Sequence, residues 1–320
     1  MVSMMMAMFL SCDISDFGDM NVNPTQIPEV NPGMHFTSVQ IGYAGARELR
    51  WRQSWWHSAP VIQQATTPGS PYNLYTRNRD TSSWYFQYAY PGQVGWDSQV
   101  KAITDILAQL RNMKEEGEEV DNLIAASRIM RVLIFQTLTD LYGDVPYFEA
   151  GKGALEGIYA PAYDPQSAIY ADMFNELNEA VQQFDPNQPT FGSPAYGNAD
   201  LLYGGDIDKW RKFGNSIRLR MAMRLVKVDI GEAQNQAEAA IAAPGGVMTS
   251  NDDIAFVRRI NQEGTTCCDP FGNGDFYVMS AEIFHITQTL VDWLKDHNDP
   301  RLTIFAALMD RDRNVVSIEP

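Results

Sequence analysis

Apolar residues along the chain fall mostly at spacings of three and four, most clearly in Asp121 to Glu149, DNLIAASRIMRVLIFQTLTDLYGDVPYFE. Leu123, Ala126, Met130, Leu133, the Thr137 methyl and Leu141 form one stripe, with Ile129, Val132 and Phe135 beside it. This spacing predicts a helix with a wide buried face. Asp121 is placed to cap its start, Gly143 to close its last turn in the left-handed conformation, and Pro146 to stop it. Ahead of it, Asp97 followed by Val100, Ile103, Leu107 and Leu110, ending near Gly117, predicts a partner helix. The link between the two is short, so they are expected to pack as an antiparallel pair.

The same period continues downstream. Asp164 and Pro165 form a start signal for a helix carrying Ile169, Met173, Leu177, Ala180 and Phe184. Asp206 is placed to cap a helix with Ile207, Trp210, Phe213, Ile217 and Met221 as its stripe, continuing to about Val226. A further helix is expected over Gly231 to Ala243. Val247 to Arg258 can hold one short strand. Ser280 is expected to start the last long helix, with Leu290, Trp293 and Leu294 inward, before Asn298 to Leu302 turns the chain.

Two kinds of segment break this pattern. Met34 to Thr66 reads as helical but aromatic, with Trp51, Trp55 and Trp56 among Arg47, Arg50 and Arg52. Thr67 to Trp96 reads as a long irregular segment, with prolines and glycines at its two ends and Tyr72, Tyr75, Trp84, Tyr85, Phe86, Tyr88, Tyr90 and Trp96 between or beside them. An irregular stretch of that length inside a compact domain is usually functional. Phe191 to Gly205 and Asn261 to Tyr277 are shorter loops of similar composition.

Charge narrows the choice of partners. The 24 Lys and Arg stand against 40 Asp and Glu, a formal net charge of −16. This balance disfavours long-range attraction to nucleic acid or to an anionic membrane face and points to neutral, cationic or apolar partners. Seven of the basic residues lie between Lys209 and Lys227, where they are expected to pair with the surplus carboxylates. No stretch has the roughly 20 apolar residues needed to span a bilayer.

The N-terminus has a separate pattern. MVSMMMAMFLSC is a short apolar run ending in a small residue and a cysteine, the form of a secretory segment processed at a cysteine that then carries lipid. It departs from that form in having no Lys or Arg before the run and Leu10 near the cleavage point. Residues 1–12 are read as this signal segment with Cys12 as the lipidation site, residues 13–33 as a polar tether, and residues 34–320 as one helical domain. Cys267 and Cys268 receive no redox role.

Catalytic signatures are missing. The chain has no GxxxxGK, GxGxxG, HExxH or GxSxG motif, and the near miss from Gly151 has Glu156 where the third glycine belongs. His35, His57, His285 and His297 have no metal-ligand spacing. No catalytic residue, metal or cofactor is assigned. Forty carboxylates could still supply an acid and base pair for glycoside hydrolysis, which sequence spacing does not reveal.

Three segments taken in order, RIMRVLIFQTLTDLYGDVPYFEA, YGGDIDKWRKFGNSIRLRMAMRL and HNDPRL, resemble the SusD and RagB family of Bacteroidetes surface lipoproteins, in the branch with a Lys-Trp followed by Asn-Ser-x-Arg-x-Arg. The resemblance implies a mostly α fold of tetratricopeptide-like helix pairs with long irregular aromatic loops. It implies a lipid anchor at Cys12 on the outer face of the outer membrane, with Asp13, Asp16 and Asp19 as the acidic residues that often follow it. It also implies capture of nutrients, usually oligosaccharides, for a SusC-like TonB-dependent transporter. Family members usually continue well past the NDPRL motif, so the domain is expected to lack its C-terminal portion. Helix starts near 98, 122, 165 and 207 give no clean 34-residue repeat, and the tetratricopeptide assignment rests on the family.

Within this reading the ligand-binding candidates are Tyr75, Trp84, Tyr85 and Trp96, whose rings suit the apolar face of a pyranose, and Arg77 and Asn78, whose planar groups suit its hydroxyls. Two other functions stay open: a helical-repeat adaptor for protein partners, and a glycoside hydrolase on an α scaffold.

Overall fold

The structure, a computed structural model, describes residues 31–45, 58–66, 79–90, 98–189, 199–258, 285–305, 308–309 and 315–316. Expectations for the N-terminal segment with Cys12, for the tryptophans at 51, 55 and 56, and for the 261–277 loop lie outside them. The described residues from Pro32 onward form one compact unit.

The architecture is mostly helical. In chain order, α1 spans Pro32–Gly45, α2 is the single turn Ala59–Val61, and β1 is Ala65–Thr66. Then follow α3 Arg79–Ala89, α4 Gln99–Glu115, α5 Asp121–Tyr142, the short α6 Gly153–Glu156 and α7 Gln166–Gln183. Next come α8 Ile207–Leu225, α9 Ile230–Ala242, β2 His285–Ile286, α10 Gln288–Asp296 and α11 Leu302–Phe305, with β3 Leu308–Met309 and β4 Val315–Val316 after them.

Helix α5 is the centre of the packing, touching α1, α3, α4, α7 and α8. Its buried residues, from Asn122 through Leu133 and Phe135 to Thr139, lie on most of its circumference, as expected for a helix surrounded by others. Polar ties fix the α5–α7 pair along its length. Arg128 holds Glu176 through two bonds (2.9 and 3.1 Å) and also reaches Gln183 (3.2 Å). Burial would raise the Glu176 pKa, but the Arg128 guanidinium outweighs it and holds the carboxyl below its ordinary value. Asn122, buried, donates to the Asp185 carbonyl (2.9 Å) and accepts from the Asp185 N–H (2.8 Å).

The residues of the Lys-Trp motif explain themselves in the fold. Trp210 is fully buried and donates its indole N–H to Asp200 (2.8 Å), whose carboxylate also takes the N–H groups of Leu202, Tyr203 and Gly205. Gly214 stands where α8 meets α5 and α7: a Cβ there would be 2.9 Å from Val181 and 3.1 Å from Ile129. Asn215 donates to the carbonyls of Pro244 and Gly246, and Ser216 accepts from Met248 N–H, so both hold the chain leaving α9. Arg218 and Arg220 donate to amide oxygens, Arg218 to those of Gln236 and Asn178 and Arg220 to that of Gln136. Among the described residues, the expected pairing with carboxylates on this helix is made by Arg211 with Asp208, Lys212 with Asp253 and Arg224 with Asp140.

Several local expectations are corrected. The segment Thr67 to Trp96 is not irregular throughout, because Tyr85, Tyr88 and Ala89 fall at helical spacing and bury one face of α3, while Pro71 and Pro91 lie beyond its ends. Of the segment from Met34 to Thr66 expected to be helical, Pro32–Gly45 and the turn Ala59–Val61 are helix, while Ala65–Thr66 is extended because it pairs with His285–Ile286 in antiparallel register. Ser98, not Asp97, caps α4, accepting from Lys101 N–H (3.1 Å). Asp121 lies inside the first turn of α5 after Val120, and its carboxylate is taken by Lys114, Gln183 and Gln188. Residues 247–258 hold a 3-10 turn, Asn251–Asp253, closed by a capping box from Ser250, in place of a strand. The last long helix, α10, begins at Gln288 with Thr287 as its cap, and Trp293 points outward, 48% exposed and stacked on His297.

Candidate functional site

The corner after α5 organises the surface around the candidate residues. Gly143 has φ +77 and ψ −124, a backbone region open to glycine but outside the left-handed helical well that the sequence suggested. The chain therefore leaves the helix sharply, and each following residue bonds to a different element. Asp144 accepts from Gln166 N–H (2.9 Å), so it supplies the cap for α7 that was expected of Asp164. Val145 is buried and bridges to Asp164, whose own carboxylate takes the N–H groups of Tyr147 (2.8 Å) and Phe148 (3.0 Å). The Pro146 carbonyl accepts from the Tyr90 hydroxyl (2.5 Å).

That last bond anchors the C-terminal end of α3, the helix carrying two of the proposed ligand residues. Phe86 N–H donates to the Tyr142 hydroxyl (3.1 Å), and Ser98 donates to the Ala89 carbonyl (2.8 Å). Phe86 packs against Tyr90 at 4.5 Å and edge-on to Tyr142 at 5.5 Å. Burial, followed by the nearby Tyr163 and Asp164, raises the Tyr90 pKa, so its hydroxyl stays a proton donor to Pro146 at any ordinary pH.

Trp84 lies on α3. Tyr85 is only 4% exposed, and its ring belongs to the helical core, so it packs the helix and presents no face to a ligand. Its hydroxyl is buried without a well-aligned partner. Burial is the main cause that raises its pKa, and Thr137 is the one neighbour that opposes the shift through its hydroxyl. Tyr75, Arg77, Asn78 and Trp96 lie outside the described residues. The contribution of the described scaffold is thus to hold the C-terminal half of α3, from Phe86 to Tyr90.

One set of aromatic residues was missed by the sequence reading. Between Phe148 and Tyr163 the chain carries Phe148, Tyr159 and Tyr163 at 43, 84 and 63% exposure. The signal was present, since Gly151, Gly153, Gly157 and Pro161 around those rings repeat the composition of the loops that were singled out. Among the described residues no group of His, Cys, Asp and Glu is placed to hold a metal ion, and no helix is long and apolar enough to cross a membrane.

Residues 24–318 match the model of the SusD-like family, described as starch-binding and associating with the outer membrane. The chain belongs to this family. Among solved structures, one titled a chitin-binding protein is 29% identical with a TM-score of 0.69, over 85% of this chain and 54% of its own. A Bacteroidetes SusD-like protein is 28% identical with a TM-score of 0.69, over 86% of this chain and 50% of its own. A SusD homolog from Parabacteroides distasonis shares the fold at 24% identity and a TM-score of 0.66, over 80% and 46% of the two chains. This SusD-like chain therefore spans about half the length of these solved relatives. No curated protein matches it.

Proposed function

We propose that this chain is a carbohydrate-binding surface lipoprotein that captures oligosaccharide and passes it, unchanged, to a SusC-like TonB-dependent transporter in the outer membrane. The observation that carries the reading is the family match over residues 24–318, supported by a relative at 29% identity titled as chitin-binding. Cys12 carries the lipid, the polar segment after it is the tether, and the helix pairs are the rigid body.

The ligand face is formed by Trp84 and Trp96, with Tyr75, Arg77 and Asn78 beside them; Tyr85 holds the helix beneath. The tied C-terminal half of α3 supports this placement, because stacking a sugar on a ring costs least when the backbone that carries the ring is already ordered. Each stacked ring contributes about 0.5–1.5 kcal/mol, so capture in the millimolar to micromolar range is expected. Such weak capture allows release to the transporter.

The test is affinity electrophoresis in gels containing glycol chitin or soluble starch. Retention by at least one glycan is expected, and Trp84→Ala with Trp96→Ala should abolish it. Unchanged retention of the double variant overturns the site, and liberation of reducing ends from the glycan overturns the non-catalytic reading. For the anchor, palmitate should label the wild-type protein in cells and not Cys12→Ala.

A further inference from the structure

The rings between Phe148 and Tyr163 are exposed on a closed and fixed loop. Its ends are joined by the Val145–Asp164 bridge and by the Asp164 carboxylate on two N–H groups. Inside them, Glu149 accepts from Ala162 N–H (3.1 Å), and Thr104 on α4 donates to the Ala150 carbonyl (3.3 Å). Lys152 and Glu156 pair at 3.1 Å across α6. The loop is therefore pinned at its base, across its width and to the scaffold.

Tyr159 has a seat of its own. A Cβ on Gly153 would stand 3.1 and 3.2 Å from Cδ1 and Cε1 of the Tyr159 ring, so one edge of the ring rests against the glycine where any side chain would displace it. The rest of the ring is open at 84% exposure. Phe148 is likewise fixed, edge-on to the buried Tyr147 at 4.9 Å. An exposed ring that is held in place gains nothing for the fold from water on its open side, but it offers a ready flat face to a ligand.

We infer that Tyr159, seated on Gly153, with Tyr163 and Phe148, forms a second carbohydrate-contact surface, made of residues other than those proposed on and around α3. This rests on the carbohydrate-binding reading and adds a site to it. The ligand class follows from charge and spacing. With a net charge of −16 on the chain the partner is uncharged or cationic, and the loop's own carboxylates Glu149, Glu156 and Asp164 are already bonded within it. The exposed rings, with Leu155 at 49% exposure beside them, stand among these bonded polar groups. A neutral ligand with an apolar face and a hydroxylated edge fits, and a pyranose has both. Two sites on one body hold one long glycan more tightly than either holds a short one.

The test uses the full chain labelled with 3-fluorotyrosine, the Tyr159 resonance assigned by its loss in Tyr159→Phe, and titration with chitin hexasaccharide and maltohexaose. The Tyr159 signal is expected to shift with at least one sugar, and to shift also when Trp84 and Trp96 are both alanine. Tyr159→Ala, and Gly153→Val, whose added side chain would meet the Tyr159 ring and the Ile158 carbonyl within this surface loop, should keep the helical circular dichroism of wild type and weaken retention on polymeric glycan about two- to tenfold. A silent Tyr159 resonance in a chain that is retained normally by glycan overturns the second surface and leaves the first reading standing. A silent resonance with no retention of the wild-type chain overturns both. A shift that vanishes with the Trp84 and Trp96 double variant also overturns the inference, since the loop then has no site of its own.

Discussion

The packing around α5 and the small region built from β1, β2, α10 and α11 are two contrasting solutions to ordering one chain. Around α5, aromatic and aliphatic side chains from α1, α3, α4, α7 and α8 form one continuous core, and buried polar groups such as Asn122, Asp200 and Asn215 have their partners. In the other region Leu294 and Leu302 are the buried core among the described residues, covered by Ile286, Leu290 and Val291. There, among the described residues, the chain is tied by a two-residue strand pair and by Thr287, which bonds through both N–H and hydroxyl to the backbone at Gln63 and Gln64. A large core makes each local bond a small fraction of the total; a small one makes each decisive.

The largest effect that would test this contrast is Trp210→Ala. It removes a fully buried ring and an indole donor to Asp200, and is expected to cost about 3–5 kcal/mol in denaturant unfolding. A loss of under 1 kcal/mol would break the picture of one cooperative scaffold. Asp144→Ala removes the cap that the corner gives to α7 and should cost about 0.5–2 kcal/mol. Asp164→Ala is expected to loosen the Phe148 to Tyr163 loop instead, seen as faster amide exchange at Tyr147 and Phe148.

A smaller effect is set by pH. The Lys212 ammonium, then the Thr249 and Ser250 N–H groups, hold the Asp253 carboxyl down to about 2. A carboxyl depressed in the folded state adds stability above its unfolded value, near about 4, and loses it as pH falls through about 2. Acid titration of unfolding midpoints should show this loss in that window, and Asp253→Asn should flatten it. The smallest global effect is expected from Leu294→Ala. Unfolding of the scaffold should move by about 0.5 kcal/mol or less, while proteolysis within 285–305 accelerates. A scaffold destabilised as much as by a comparable core substitution would show that the two regions unfold together.

The helices of the scaffold were readable because their apolar period is long and regular. Starts expected near 98, 122, 165 and 207 are found at Gln99, Asp121, Gln166 and Ile207. Caps were less readable, since a carboxylate beside a helix start can bond to any donor that tertiary structure brings near. Asp121 and Asp164 both went to such donors, and Asp144 took the cap from 22 residues away. The pairing of Ala65–Thr66 with His285–Ile286 joins segments about 220 residues apart and leaves no local trace. For the ligand face, composition marked aromatic segments but not the phase of each ring. Tyr85 was indistinguishable from Trp84 until α3 turned it into the core, and Tyr159 was passed over although it is the most exposed of the described large apolar side chains.

The corner from Gly143 to Pro146 also defines a cassette. Its bonds to Gln166, Asp164 and Tyr90 are complete without any side chain between Phe148 and Tyr163. The chain between those points can accordingly change in length or sequence while the helices on either side keep their positions, at about 0.6 kcal/mol for each doubling of a flexible insert. Family members built on the same corner have there a place where evolution, or a protein engineer, can exchange one recognition surface for another without repacking the core.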